Sequence, residues 1–129
     1  MKIGLQVALA ILSLIPLYFG TTGIFLGVST FMPDGGYPAS LDNQFRYLGS
    51  VYLLVAVLLW RIIPKIEAHG TTLTIILGMM FVGALARLGS YLALEPPPPI
   101  LIAAMIVEFL LPVLLIWQRS IAKPASAAV

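Results

Sequence analysis

Along this chain, hydrophobic and polar residues fall in long blocks. Four apolar blocks, at about residues 3–26, 43–63, 71–94 and 100–117, are separated by short polar connections. Each block is close to the ~20 residues that an α-helix needs to cross ~30 Å of hydrocarbon. The pattern predicts an all-α chain: an integral membrane four-helix bundle. The first block has too long an apolar run for a cleaved signal peptide, and Lys2 alone makes a weak basic leader, so it too reads as a span.

The connections carry turn chemistry. "STFMPDGGYPASLD" places Pro and Gly at turn positions, with Ser40 or Asp42 available to cap the second helix. "PKIEAHGTT" ends that helix at Pro64 and starts the next near Gly70. "EPPPP", residues 95–99, has no helical solution and predicts a stiff polyproline turn between the third and fourth helices. No internal repeat interrupts the reading of residues 1–129 as one transmembrane domain. Residues 118–129 read as a short cytoplasmic tail, and its "AKPASAAV" end is small, polar and expected to be mobile.

Composition strengthens this picture. The 129 residues are 60% hydrophobic and only 9% charged, with a mean hydropathy of +1.06. A soluble domain carries roughly 25% charged residues. So few charges cannot cover a water-exposed globule. The absence of cysteine excludes disulfides, iron–sulfur clusters and thiolate metal sites. The single histidine, His69, is too few for a zinc or bis-histidine haem centre. No metal or cofactor is expected.

The net charge of +2 does not imply a nucleic-acid partner, because the seven basic residues are scattered over helix ends. They read as topology signals. Lys2, Arg61, Lys65, Arg119 and Lys123 fall at one end of the four spans, beside Trp60 and Trp117. Asp34, Asp42 and Glu95 mark the other end. Both termini are therefore expected in the cytoplasm.

Three charges break the apolar blocks. Counting at 1.5 Å per residue, Arg46 lies about 5 Å inside the outer end of its helix, Arg87 about 10 Å and Glu108 about 12 Å. They share one leaflet on three helices and should turn inward to meet. Asp42, Asn43, Arg46 and Ser50 form one stripe, and Gly83, Arg87, Ser90 and Tyr91 another. Short "EPPPP" makes the third and fourth helices antiparallel neighbours, so Arg87 is expected to pair with Glu108. Pro112 frees the carbonyl of Glu108. Tyr18, Thr21 and Thr22 would add donors from the first helix. Gly23 and Gly27 form a G-x-x-x-G, a weak signal of helix contact.

"LDNQFRYLGSVYLL", then "ARLGSYL" in the third helix and a lone Glu in the fourth, resembles a family of small bacterial four-helix membrane proteins catalogued only as a domain of unknown function. The resemblance covers nearly the whole chain. It rests most specifically on D-N-x-F-R-Y-x-G, here Asp42, Asn43, Phe45, Arg46, Tyr47 and Gly49, with Arg87 and Glu108 matching the later Arg and Glu. The chain departs in "LEPPPPI", where the family often has a Gly-x-Pro turn. The resemblance implies the fold, the polar residues and a place in the bacterial cytoplasmic membrane. It implies no reaction.

The candidate polar cluster is thus Asp42, Asn43, Arg46, Arg87, Ser90, Tyr91 and Glu108. One reading is purely structural: a buried Arg–Glu pair fixes helix partners and register. The leading functional reading is non-enzymatic. It is an accessory subunit of a larger membrane complex, or a binder of a small amphipathic or lipid ligand, with the bilayer, other subunits or a second copy as partners. The alternatives are a small transporter with Glu108 as a titrating group, and a membrane enzyme acting on a lipid. The absence of a nucleophile–base pair or phosphate loop weighs against an enzyme.

Overall fold

The computed structural model describes the backbone of residues 2–127 and the side chains of residues 2–122. The expected mobile tail falls largely on 123–129, whose side chains lie outside the described residues. Among the described residues every regular element is helical: α1 (Lys2–Leu12), α2 (Leu14–Leu26), α3 (Ala39–Ile62), α4 (Gly70–Ala93), α5 (Pro99–Phe109) and α6 (Leu111–Ala127). Two 3-10 segments, Gly27–Thr30 and Ile63–Ala68, follow α2 and α3. Four stretches are long and apolar enough to cross a membrane: Lys2–Thr30, Ala39–Ala68, Gly70–Ala93 and Pro99–Ala122.

Two of these spans are broken by proline. Pro16 has no N–H to give the carbonyl of Leu12, and the break between α1 and α2 falls at Ser13. The Ser13 hydroxyl donates to the Ala10 carbonyl at 2.6 Å. It also accepts the indole N–H of Trp60 at 2.9 Å. Pro112 likewise leaves the Glu108 carbonyl without its helical donor, and α5 stops one residue after Glu108. The turn between α4 and α5 ends with Pro98 at φ −51, ψ 147, polyproline geometry. Pro99 then starts α5 in the first turn, where a missing N–H costs no helical bond.

The chain divides into two compact units, residues 8–61 and residues 1–7 with 62–129. In the first, α2 and α3 meet through glycine. A Cβ on Gly20 would lie 2.9 Å from the Gly49 carbonyl oxygen, and one on Gly49 would lie 2.9 Å from that of Gly20. Only glycine allows backbones this close. Beside the crossing, the Phe19 ring lies 6.2 Å from Phe31 and 6.1 Å from Tyr52, and Phe31 meets Phe45 edge-on at 5.6 Å.

In the second unit α4 packs on α5 and α6, with Leu73, Ile76, Leu77, Ala84, Ala104, Met105 and Leu111 buried. Phe81 and Phe109 stack edge to face at 5.6 Å. Amides hold the 3-10 segment where the backbone leaves helical geometry at Lys65 (φ −126, ψ 51). Gln6 donates to the Ile63 carbonyl at 2.9 Å, and buried Gln118 donates to that of Ile66 at 3.0 Å. Lys2 bonds Glu67 at 3.1 Å. The faces left outside are apolar: Ile75, Met79 and Val82 make an exposed stripe along α4. In water this would be an aggregation surface, whereas in lipid it has no desolvation cost.

Candidate functional site

The sequence-predicted polar residues lie in both units. In residues 8–61, Asp42 and Arg46 stand one turn apart on α3. The Arg46 Nε–H donates to Asp42 Oδ2 at 2.8 Å. Asp42 Oδ1 accepts the backbone N–H of Val28 at 2.9 Å, from the segment after α2. Asp42 is thus bound to the chain following α2, and Ala39 begins α3 upstream of it.

Arg46 also closes the C-terminus of α2. The last four carbonyls of a helix have no partner within it. Here the Gly23 carbonyl accepts the N–H of Gly27. Those of Ile24 and Phe25 accept Arg46 Nη1 at 2.8 and 3.3 Å. The Leu26 carbonyl accepts the hydroxyl of Ser29. All four are satisfied, and a cation sits at the negative end of the helix dipole. Gly27 makes the geometry reachable. Its φ of +63 with ψ −148 is nearly glycine-only backbone, and a Cβ there would collide with Asp42 Oδ1. Asn43 is exposed on α3.

In the other unit, Arg87 on α4 faces Glu108 on α5. Arg87 Nε lies 3.2 Å from Glu108 Oε2, with the Glu108 side chain 5% exposed and that of Arg87 23% exposed. At Oε2 the contact is an ion pair without aligned hydrogen-bond geometry. Arg87 and Ser90, one turn apart, line a cavity of about 120 Å³ whose other walls are Pro97, Leu101, Ile102 and Met105. It opens at the α4 end next to the proline turn, where Ser90 is exposed. Tyr91 is exposed beside it on α4 and is not one of the lining residues. Among the described residues no three His, Asp or Glu side chains group as a metal site.

These two polar groups fall within residues 4–118, which match the family described as "Domain of unknown function (DUF4345)". The chain belongs to this family. No curated protein and no solved structure matches it. Within the DUF4345 segment, Asp42, Phe45, Arg46 and Gly49 each have an identifiable packing or bonding role in joining α2 to α3.

Sequence reasoning missed several participants. The G-x-x-x-G spacing singles out Gly23 and Gly27, whereas the 2.9 Å approach to the Gly49 carbonyl is at Gly20, on the same helix face as Gly23. Gln6, Ser13 and Gln118 carried a usable signal: a lone amide or hydroxyl inside an apolar block needs a partner. The apolar cavity walls carried none, since Leu101, Ile102 and Met105 look like lipid-facing residues.

Proposed function

We propose that this chain is a non-enzymatic, multi-pass protein of the bacterial cytoplasmic membrane, with both termini cytoplasmic, that holds the head of a small amphipathic or lipid ligand at Arg87. The observation that carries this reading is the cavity, with a guanidinium and a hydroxyl on one side and Leu101, Ile102 and Met105 on the other. Pockets that enclose a whole drug-sized ligand measure roughly 300–1,000 Å³. At about 120 Å³ this one fits a head group and a few carbons. The remaining chain of such a ligand would lie in the bilayer, against the apolar outer surface. Glu108 serves as the counter-ion of an arginine placed inside a membrane-length helix. The Asp42–Arg46 group is structural in this reading, since its hydrogen bonds go to the backbone around the end of α2.

Native mass spectrometry from mild detergent tests the proposal. The expected result is a lipid-mass adduct on the wild-type chain that is lost when Arg87→Met and Glu108→Met are combined. An adduct of equal occupancy on both proteins overturns binding at this cavity. A stoichiometric protein partner with no small-molecule adduct would replace the binder with an accessory subunit.

A further inference from the structure

We infer that the head group held at Arg87 is an uncharged hydrogen-bond acceptor, such as the carbonyl of an ester, ketone or amide, and that Glu108 sets this preference. The inference rests on the binding proposed above and specifies the ligand class.

The lining favours an acceptor. Arg87 is its one charged residue, and a guanidinium has five N–H donors and no acceptor. One carboxylate engages at most two of those donors in a bidentate pair. An acceptor in the cavity would share these donors with the partners that Arg87 already has. Ser90 supplies a hydroxyl, and Pro97, Leu101, Ile102 and Met105 present apolar side chains. A cationic amine would be repelled by Arg87 and would find most of the wall unable to accept.

The charge balance disfavours an anion. Arg87 and Glu108 form a pair of zero net charge, with the carboxylate almost wholly buried behind the guanidinium. An anionic head on Arg87 would be attracted by the guanidinium and repelled, from farther away, by Glu108. The repulsion offsets part of the attraction, while the cost of taking a full charge out of water remains. A carbonyl oxygen has a much smaller desolvation cost and still receives a charge-assisted hydrogen bond. Glu108 therefore converts an arginine, ordinarily an anion receptor, into a donor for neutral heads.

The test uses two probes with the same C18 chain. Methyl oleate has an uncharged ester head, and oleyl sulfate a permanent anion. Both are titrated against the whole chain in maltoside detergent, with occupancy read by native mass spectrometry and the Arg87→Met, Glu108→Met double variant as the non-specific background. The wild-type chain should bind methyl oleate more tightly. Glu108→Gln keeps the shape and leaves the site positive, so the preference should move toward oleyl sulfate by about tenfold or more. Ser90→Lys adds a positive charge on the exposed lining without touching the buried pair, and should move it the same way. Tighter wild-type binding of oleyl sulfate, or an unchanged ratio in both variants, overturns the charge argument while leaving a binding site. If the wild-type chain binds neither probe above the background, the binding proposal fails as well.

Discussion

Two arginine–carboxylate pairs occur among the described residues, and they do different work. Asp42–Arg46 is a local i, i+4 pair with the Arg46 side chain 45% exposed. Its stabilising role comes from the backbone groups it collects: the N–H of Val28 and the carbonyls of Ile24 and Phe25. Arg87–Glu108 joins two helices, and its carboxylate is buried. The first pair replaces hydrogen bonds that the end of α2 would otherwise lack. In the second, each partner removes the cost of burying the other. A pair of the first kind is a fastening. A pair of the second kind is a neutralised charge.

The largest effect expected from this contrast is at the buried pair. Arg87→Met alone leaves Glu108 buried without its cation and should lower stability by about 3–5 kcal/mol. Glu108→Met should cost a similar amount. The double replacement removes both charges and should recover most of the loss. A double-mutant cycle of thermal unfolding in detergent measures this. Losses that simply add would show that the two residues are not coupled.

Next comes the glycine on which the fastening depends. Gly27→Ala forces a Cβ into the Asp42 carboxylate and into backbone with φ +63. A residue held in such a region costs about 1–3 kcal/mol. Gly35 and Gly36 also have positive φ, but a Cβ added at either would meet nothing within 4 Å. Alanine at Gly35 should therefore cost less than alanine at Gly27 in the same unfolding assay, because strain acts there without a collision. Equal losses would mean that the contact with Asp42 adds nothing.

The fastening should also respond differently to a cycle. Asp42→Ala removes the acceptor of Val28, and Arg46→Ala removes the donor to Ile24 and Phe25. These backbone groups are different, so removing both side chains leaves both sets unpaired and rescues nothing. The double variant should be less stable than either single one, the opposite of Arg87 with Glu108. Rescue in this cycle would show that the charges matter more here than the backbone bonds do.

The legibility of the chain follows the same division. The all-α class and four membrane-length helices could be read from the apolar blocks, because lipid demands length and apolarity from every span. The pairing of Arg87 with Glu108 could be reasoned from depth, since two buried charges on helices joined by a short turn have few other ways to be neutralised. The second carboxylate contact of Asp42 could not. Its Val28 partner lies 14 residues away across an irregular segment, and helical periodicity carries no information about such a bond. The break at Ser13 had one visible cause, Pro16. The Trp60 indole that bonds the Ser13 hydroxyl comes from a distant segment and had no local signal. The cavity was illegible because its apolar walls differ from lipid-facing residues only in what they face.

The smallest effect should fall on Asn43. It stands three residues before Arg46 on the same helical stripe, and that spacing predicts that it turns inward with Arg46. The structure departs from the expectation: Asn43 is exposed, and it is Asp42, at i−4, that bonds Arg46. An exposed polar residue away from caps and buried networks changes stability by about 0.5 kcal/mol or less when replaced. Asn43→Ala should therefore leave the unfolding midpoint in detergent almost unchanged. If Asn43→Ala unfolds the chain as readily as Asp42→Ala, Asn43 belongs to the fastening.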